Sequence, residues 1–196
     1  MLEAVTEKTR LVFVDSPNNP TGGANAAEDI VRFARSLPKH VIVGFDEAYA
    51  EYLENPPDLL PLVRAGHKVV CMRTFSKIHG LAGLRIGYGY GSAELAALLH
   101  RVRQPFNANA IAQAAAQAAL GDEAHVAFCR QANLEGMAQW EMGCEELGLP
   151  YVASQANFIL VKVGSGASVF EALQDRGIIA RSFGGPLAEY LRISIG

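Results

Sequence analysis

The chain has few cysteines and no long apolar run, and each absence excludes a class of protein. Its three cysteines, Cys71, Cys129 and Cys144, are odd in number and show no C-x-x-C spacing, so neither a disulfide framework nor a zinc site is predicted. We therefore expect a reducing, cytoplasmic setting and no bound metal. No apolar segment approaches the ~20 residues that span a bilayer, and the N-terminus lacks an apolar core behind a basic start. We expect neither export nor a membrane.

Basic runs are also absent. The 17 basic and 20 acidic residues are mixed along the chain and give a net charge of -3, so nucleic acid is not an expected partner. Half of the residues are hydrophobic, and the mean hydropathy is +0.13. A chain of 196 residues with this composition is long enough to bury a core, as one large or two small domains.

Strand-like and helical patterns alternate over the first part of the chain. Mainly apolar runs at residues 10–15, 40–48, 68–72 and 86–91 predict strands, and the spacing of apolar residues predicts helices at 26–37, 59–65 and 93–102. Nearly continuous apolar strands separated by helices are typical of a mostly parallel sheet with helices on both faces. The glycines at 87, 89 and 91 do not complete G-x-G-x-x-G, so no dinucleotide fingerprint is present.

The pattern changes after about residue 121. Helices are predicted at 111–120, 122–147 and 167–176, and short strands at 157–162, 178–181 and 191–195. A helix between short strands is typical of a small α+β lobe. We therefore expect residues 1–121 and 122–196 to form two domains.

Three of the predicted strands carry a polar residue at their end or in the loop that follows. Asn19, Asp46 and the group Thr74, Ser76 and Lys77 stand at these positions, and the carboxyl ends of parallel strands lie on one edge of a sheet, where ligands bind. An aspartate can keep a ring nitrogen protonated, and a lysine can bond a cofactor aldehyde and then act as general acid and base. Arg85 can bind a phosphate through two hydrogen bonds. This pattern predicts a pyridine cofactor with a phosphate group.

Five ordered motifs resemble those of fold-type I pyridoxal-phosphate aminotransferases. They are Asn18-Asn-Pro-Thr-Gly22, Asp46-Glu-Ala-Tyr49, Thr74-Phe-Ser-Lys77, Gly80-Leu-Ala-Gly-Leu-Arg-Ile-Gly-Tyr88 and Leu191-Arg-Ile-Ser-Ile-Gly196. Gln104-Pro-Phe-Asn107 and Ser154-Gln-Ala-Asn-Phe158 are similar to the histidinol-phosphate aminotransferase branch. The resemblance covers nearly the whole chain and implies pyridoxal 5'-phosphate as the cofactor.

The resemblance also implies roles for individual residues. Lys77 would be the lysine that bonds the cofactor, and Asp46 the partner of its ring nitrogen. Asn19 and Tyr49 would bind its ring oxygen, and Thr74, Ser76 and Arg85 its phosphate. Arg192 matches the arginine that holds the substrate carboxylate, and Arg181 a position facing the phosphate end of the substrate. His79 lies inside the phosphate motif, where a structural role is expected.

The implied reaction moves an amino group from a small amino donor to a keto acceptor, in a homodimer. In this branch it converts histidinol phosphate and 2-oxoglutarate to imidazole-acetol phosphate and glutamate. The resemblance further implies that residues 1–121 are the C-terminal part of the cofactor domain, that an N-terminal half precedes them, and that the family continues beyond Gly196. The alternatives are another enzyme of this fold, either an aromatic aminotransferase or an amino-acid phosphate decarboxylase, and a truncated non-catalytic module for folding or dimerisation.

Overall fold

A computed structural model describes residues 1–195, and the terminal Gly196 of the fifth motif lies outside the described residues. The chain forms two compact units. The first contains Met1–Ser16 and Asn25–Val126, and the second contains Pro17–Ala24 and the chain from Ala127 onward. The division into domains at residues 1–121 and 122–196 stays a prediction.

The first unit is built on a four-stranded sheet. Strands β1 (Leu11–Asp15), β2 (Ile42–Asp46) and β3 (Val69–Thr74) are parallel and adjacent in chain order, and β4 (Gly87–Gly91) pairs antiparallel with β3. The carboxyl ends of β1, β2 and β3 therefore lie on one edge of the sheet, as the alternating pattern predicts.

Helices α1 (Ala27–Ser36) and α2 (Leu60–Arg64) each contribute to the main core of this unit, together with β2 and β3. Helices α3 (Ala93–Val102) and α4 (Ala110–Leu120) follow β4. Ile30 and Ala34 of α1 pack with Phe45 of β2 and with neighbouring buried residues. Side chains alternate between the two faces of a strand, so Gly44, the residue before Phe45 in β2, lies on the opposite face. There it contacts Phe13, whose side chain is 65% exposed.

The second unit is built on an antiparallel sheet. Helix α5 (Glu123–Glu146) is followed by β5 (Tyr151–Val152), β6 (Phe158–Lys162), α6 (Gly166–Gln174), β7 (Arg181–Ser182) and β8 (Tyr190–Ser194). The strand order is β5-β6-β8-β7. Four consecutive residues of β6, Phe158 to Val161, are buried, and Ile159 and Val161 pack with Met137 and Cys144 of α5.

One strand prediction in this unit is wrong in position. A strand was expected at residues 178–181, but β7 contains only Arg181 and Ser182, and β5 was not expected. Residues 175–178 close the end of α6 instead, since the Ile178 amide donates to Leu173 O at 2.9 Å and Gly177 has φ +75°. A glycine in the left-handed region is a common way to end a helix.

Among residues 1–195, no helix is both long enough and apolar enough to cross a membrane.

Candidate functional site

Lys77 lies in the loop that follows β3 in the first unit. Its Nζ atom is 5.0 Å from the centre of the Tyr49 ring, and Tyr49 is buried just beyond the end of β2. Two turn-forming hydrogen bonds hold the loop: Gly80 N donates to Lys77 O at 2.9 Å, and Leu81 N donates to Phe75 O at 2.9 Å. The ends of neighbouring parallel strands thus bring the lysine and the tyrosine together.

Hydroxyl and guanidinium groups lie in the same loop. Thr74 Oγ1 accepts a hydrogen bond from Ser76 N at 3.1 Å, and Arg85 Nη1 lies 3.4 Å from Ser76 Oγ. Arg85 has φ +51° after the short turn Ala82–Leu84, and its Nη1 also donates to Ala82 O at 3.0 Å. This cationic, hydroxyl-rich donor set suits a phosphate group.

Asp46 ends β2 on the sheet face opposite the main core. It is exposed, and its Oδ1 accepts a hydrogen bond from Ala48 N at 2.9 Å. In the sheet register Asp46 stands between Asp15 of β1 and Met72 of β3. A carboxylate at this edge can hold a positive charge on a ligand atom.

The next residue, Glu47, has an entirely buried side chain. Arg73 forms two hydrogen bonds with its carboxylate, from Nε to Oε2 at 3.1 Å and from Nη2 to Oε1 at 3.4 Å. Tyr90 Oη donates to Oε2 at 2.7 Å, and Arg73 Nη1 reaches Glu51 at 3.4 Å. Sequence reasoning missed this cluster. The signal was a charged pair, Glu47 and Arg73, at the ends of two otherwise apolar strands.

Burial shifts the pKa values of Tyr90 and Arg73 in this cluster and of the neighbouring Cys71. Desolvation raises the pKa of Tyr90, and the Glu47 carboxylate that accepts its hydrogen bond raises this pKa further. Burial raises the pKa of the Cys71 thiol to about 11. Desolvation lowers the pKa of Arg73, but the hydrogen bonds and charge of Glu47 outweigh this effect, so the net shift is upward. The Arg73 guanidinium therefore keeps its positive charge beside the Glu47 carboxyl group.

The second unit contains Asn19 and Arg192. Arg192 Nη1 donates to Asn19 Oδ1, and the Arg192 guanidinium lies 5.0 Å from the centre of the Phe158 ring. Within residues 1–195, Arg192 forms no ion pair, and its buried Nε has no hydrogen-bond partner. Arg181 is exposed in β7, and its backbone pairs with Arg192 in the sheet register.

The predicted site residues are thus distributed over both units. The first unit holds Lys77, Tyr49, Asp46 and the phosphate-binding candidates Thr74, Ser76 and Arg85. The second holds Asn19, Arg192 and Arg181. The roles of all nine residues stay predictions. In the described part of the chain, no group of histidine, cysteine and acidic residues has the arrangement of a metal site.

The fold is that of the aminotransferases. A histidinol-phosphate aminotransferase from Sinorhizobium meliloti, solved in complex with pyridoxal-5'-phosphate, superposes with a TM-score of 0.85 at 33% identity, over 95% of this chain and 52% of that chain. The predicted fold class, a mostly parallel sheet with helices and a small second lobe, is confirmed.

The chain belongs to the aminotransferase class I and II family, whose model matches residues 1–196. A histidinol-phosphate aminotransferase from Akkermansia muciniphila is 50% identical over 196 residues, which are all of this chain and 54% of that protein. Another from Bacillus licheniformis is 44% identical over 201 residues, covering all of this chain and 55% of that protein. The predicted family resemblance is confirmed, and the chain spans about half the length of these curated relatives.

Proposed function

We propose that this chain is part of a pyridoxal-phosphate-dependent aminotransferase that acts on histidinol phosphate and 2-oxoglutarate and yields imidazole-acetol phosphate and glutamate, a step of histidine biosynthesis. The placement of Lys77 carries the proposal, because its amine lies 5.0 Å from the Tyr49 ring, in the loop that also holds a phosphate-type donor set. The names of the relatives at 50% and 44% identity support the choice of substrate.

The residues of the first unit fit this cofactor. Thr74, Ser76 and Arg85 would hold its phosphate, and Lys77 would bond its aldehyde carbon. Asp46, with one carboxylate oxygen on Ala48 N, would hold the proton on the ring nitrogen. When bound, the cofactor supplies an electron sink that stabilises negative charge at the substrate carbon.

Lys77 would also move the proton. Once its amine is released by the incoming substrate, Nζ can take a proton from one carbon and return it to another, as a general base and then a general acid. The Tyr49 hydroxyl would bind the ring oxygen of the cofactor. The ring of Tyr49 already lies beside Nζ, so the tyrosine would also limit where the amine swings.

The arginines of the second unit would bind substrate anions. Arg192 is held by an amide oxygen and an aromatic ring rather than by a carboxylate, so its charge can pair with the carboxylate of glutamate. Histidinol phosphate has no α-carboxylate, so the same site must also accept a ligand whose anion is a distant phosphate. Arg181, exposed in β7, is our candidate for that phosphate, and Asn19 for the ring oxygen of the cofactor.

We further propose a homodimer in the cytoplasm, with small-molecule donors and acceptors as the only substrates. Within residues 1–195 no disulfide joins the cysteines, and Cys71 and Cys144 are buried, which suits a reducing compartment. Sedimentation of the purified protein tests the dimer, and a mass equal to one chain would contradict it.

Chemical trapping tests the cofactor site without relying on turnover. Pyridoxal phosphate is added, the bond to the protein is reduced with borohydride, and the labelled residue is identified by peptide mass spectrometry. We expect the label on Lys77 and its loss in Lys77→Ala, with the exposed-lysine variant Lys39→Ala as the matched control. A label spread over surface lysines, or no visible absorption band with saturating cofactor, would contradict the proposal and favour a non-catalytic module.

A half-reaction then tests the chemistry. Glutamate should convert the bound cofactor to its amine form, which changes the absorption spectrum, and imidazole-acetol phosphate should reverse the change. Release of carbon dioxide instead would identify a decarboxylase of the same fold.

A further inference from the structure

The ends of β2 and β3 each carry two neighbouring residues with opposite surroundings. Asp46 is exposed on the face of Gly44, whereas Glu47 is buried with the core. At the end of β3, Arg73 contacts the buried Glu47. Thr74, the residue after Arg73, begins the loop that contains Lys77. Two of the candidate cofactor residues, Asp46 and Thr74, are therefore covalently adjacent to members of the buried cluster.

The buried cluster joins three strands at this edge. Glu47 N donates to Met72 O at 2.9 Å, which links the backbone after β2 to β3. The Glu47 carboxylate then binds Arg73 of β3 through two hydrogen bonds and Tyr90 of β4 through one. Two parallel hydrogen bonds fix the orientation of a carboxylate and a guanidinium as well as their distance.

We propose that Glu47, Arg73 and Tyr90 form a positioning cluster, which holds Asp46 at a fixed distance from the loop of Thr74 to Lys77. The proposal rests on the proposed function, in which Asp46 and Lys77 would bind opposite ends of the cofactor ring. The cluster would keep these two residues aligned. None of the three cluster residues is placed against the cofactor itself. Glu47 and Arg73 would act through their chain neighbours Asp46 and Thr74, and Tyr90 through its hydrogen bond to Glu47.

A buried ion pair of this kind is weak evidence for a purely stabilising role. Replacing both charges by neutral groups is often harmless to stability, whereas removing one charge leaves the other buried and unpaired. Stability and positioning can therefore be separated. A double variant that removes both charges should regain the stability of the parent protein but not the positioning of the cofactor residues.

The experiment compares Glu47→Gln, Tyr90→Phe and the double variant Glu47→Gln/Arg73→Gln with the parent protein. Hydrogen exchange is measured without cofactor at the hydrogen-bonded amides of Ser76 and Gly80, with the amide of Val43, bonded to Lys68 O, as the reference for the sheet. Thermal unfolding and the dissociation constant of pyridoxal phosphate are measured on the same samples. Lys162→Gln, which removes an exposed ion pair with Glu189, is the control and should match the parent throughout.

We expect Glu47→Gln to lower the unfolding temperature and to speed exchange in the loop by about tenfold relative to Val43. The double variant should regain most of the unfolding temperature yet keep the fast loop exchange and a cofactor dissociation constant raised by about tenfold. Tyr90→Phe should show a smaller change of the same kind. If Glu47→Gln does not fold, the other two variants decide.

Recovery of loop exchange together with the unfolding temperature in the double variant would overturn the positioning role. A parent protein that binds no cofactor would contradict the proposed function instead, and the exchange measurements would still decide the role of the cluster.

Discussion

The two units each contain a partly buried arginine, and the partners of the two side chains differ. In the first unit, Arg73 binds the fully buried carboxylate of Glu47. In the second, Arg192 binds the neutral amide of Asn19 and lies over the ring of Phe158. We therefore expect the charge of Arg73, balanced by a carboxylate, to serve the protein's own structure, and the charge of Arg192, held by neutral partners, to be open to a ligand.

The difference extends to the distance along the chain. Glu47 and Arg73 are 26 residues apart, at the ends of successive strands of one sheet, whereas Asn19 and Arg192 are 173 residues apart. The first contact follows from local strand order, and the second requires the chain to return to an early loop near its end.

The largest expected difference in unfolding free energy is between two variants, Arg73→Gln and Arg192→Gln, which carry the same substitution in different units. Arg73→Gln leaves Glu47 buried without its charge partner, which should cost about 3–5 kcal/mol of unfolding free energy. Arg192→Gln removes a cation–π contact and a hydrogen bond, so a loss of about 1 kcal/mol is expected. Urea denaturation of both variants measures the contrast, and equal losses would show that the partner's charge does not set the role of the arginine.

A smaller effect is expected from two glycines, both with positive φ. Gly22 (φ +77°) lies in the loop of Asn19, where an added Cβ would stand 2.0 Å from Ser154 Oγ, while Gly66 (φ +84°) in the first unit has open space around it. Gly66→Ala should cost about 1 kcal/mol from backbone strain alone, and Gly22→Ala about 1–3 kcal/mol more because of the clash. Thermal unfolding tests this order. Equal shifts would mean that the Gly22 loop moves aside freely.

Most of the elements of the first unit could be predicted from the sequence because their signals are local. The apolar run at residues 10–15 and the helical spacing at 26–37 correspond to β1 and α1 within two residues at each end. The strand predicted at 178–181 failed because Ile178 and Ile179 have strand-like composition but no neighbouring strand to pair with. They are 52% and 87% exposed, so their residue types alone did not indicate that both side chains lie at the surface, outside the sheet.

The candidate site was predictable only where motif residues follow one another in the chain. Thr74, Ser76 and Lys77 form one loop and were found together. Glu47 was read only as part of a motif, because a buried glutamate and an exposed one look alike in a sequence, and burial is decided by Arg73 and Tyr90 on other strands. The contact of Asn19 with Arg192 carried no sequence signal beyond the resemblance.

The smallest expected effect concerns the charge around His79 in the first unit. Burial lowers the pKa of His79 below its usual 6.5, and the nearby His125 and Arg73 lower it further. The folded protein then binds fewer protons than the unfolded chain below that pH, so stability falls as pH decreases from 6.5 toward the folded pKa. His79→Gln should reduce this loss between about pH 7 and pH 5, as measured by urea denaturation at each pH. The variant His40→Gln, at an exposed histidine, is the matched control. An unchanged slope in His79→Gln would show that His79 accepts its proton as readily in the folded unit as in the unfolded chain.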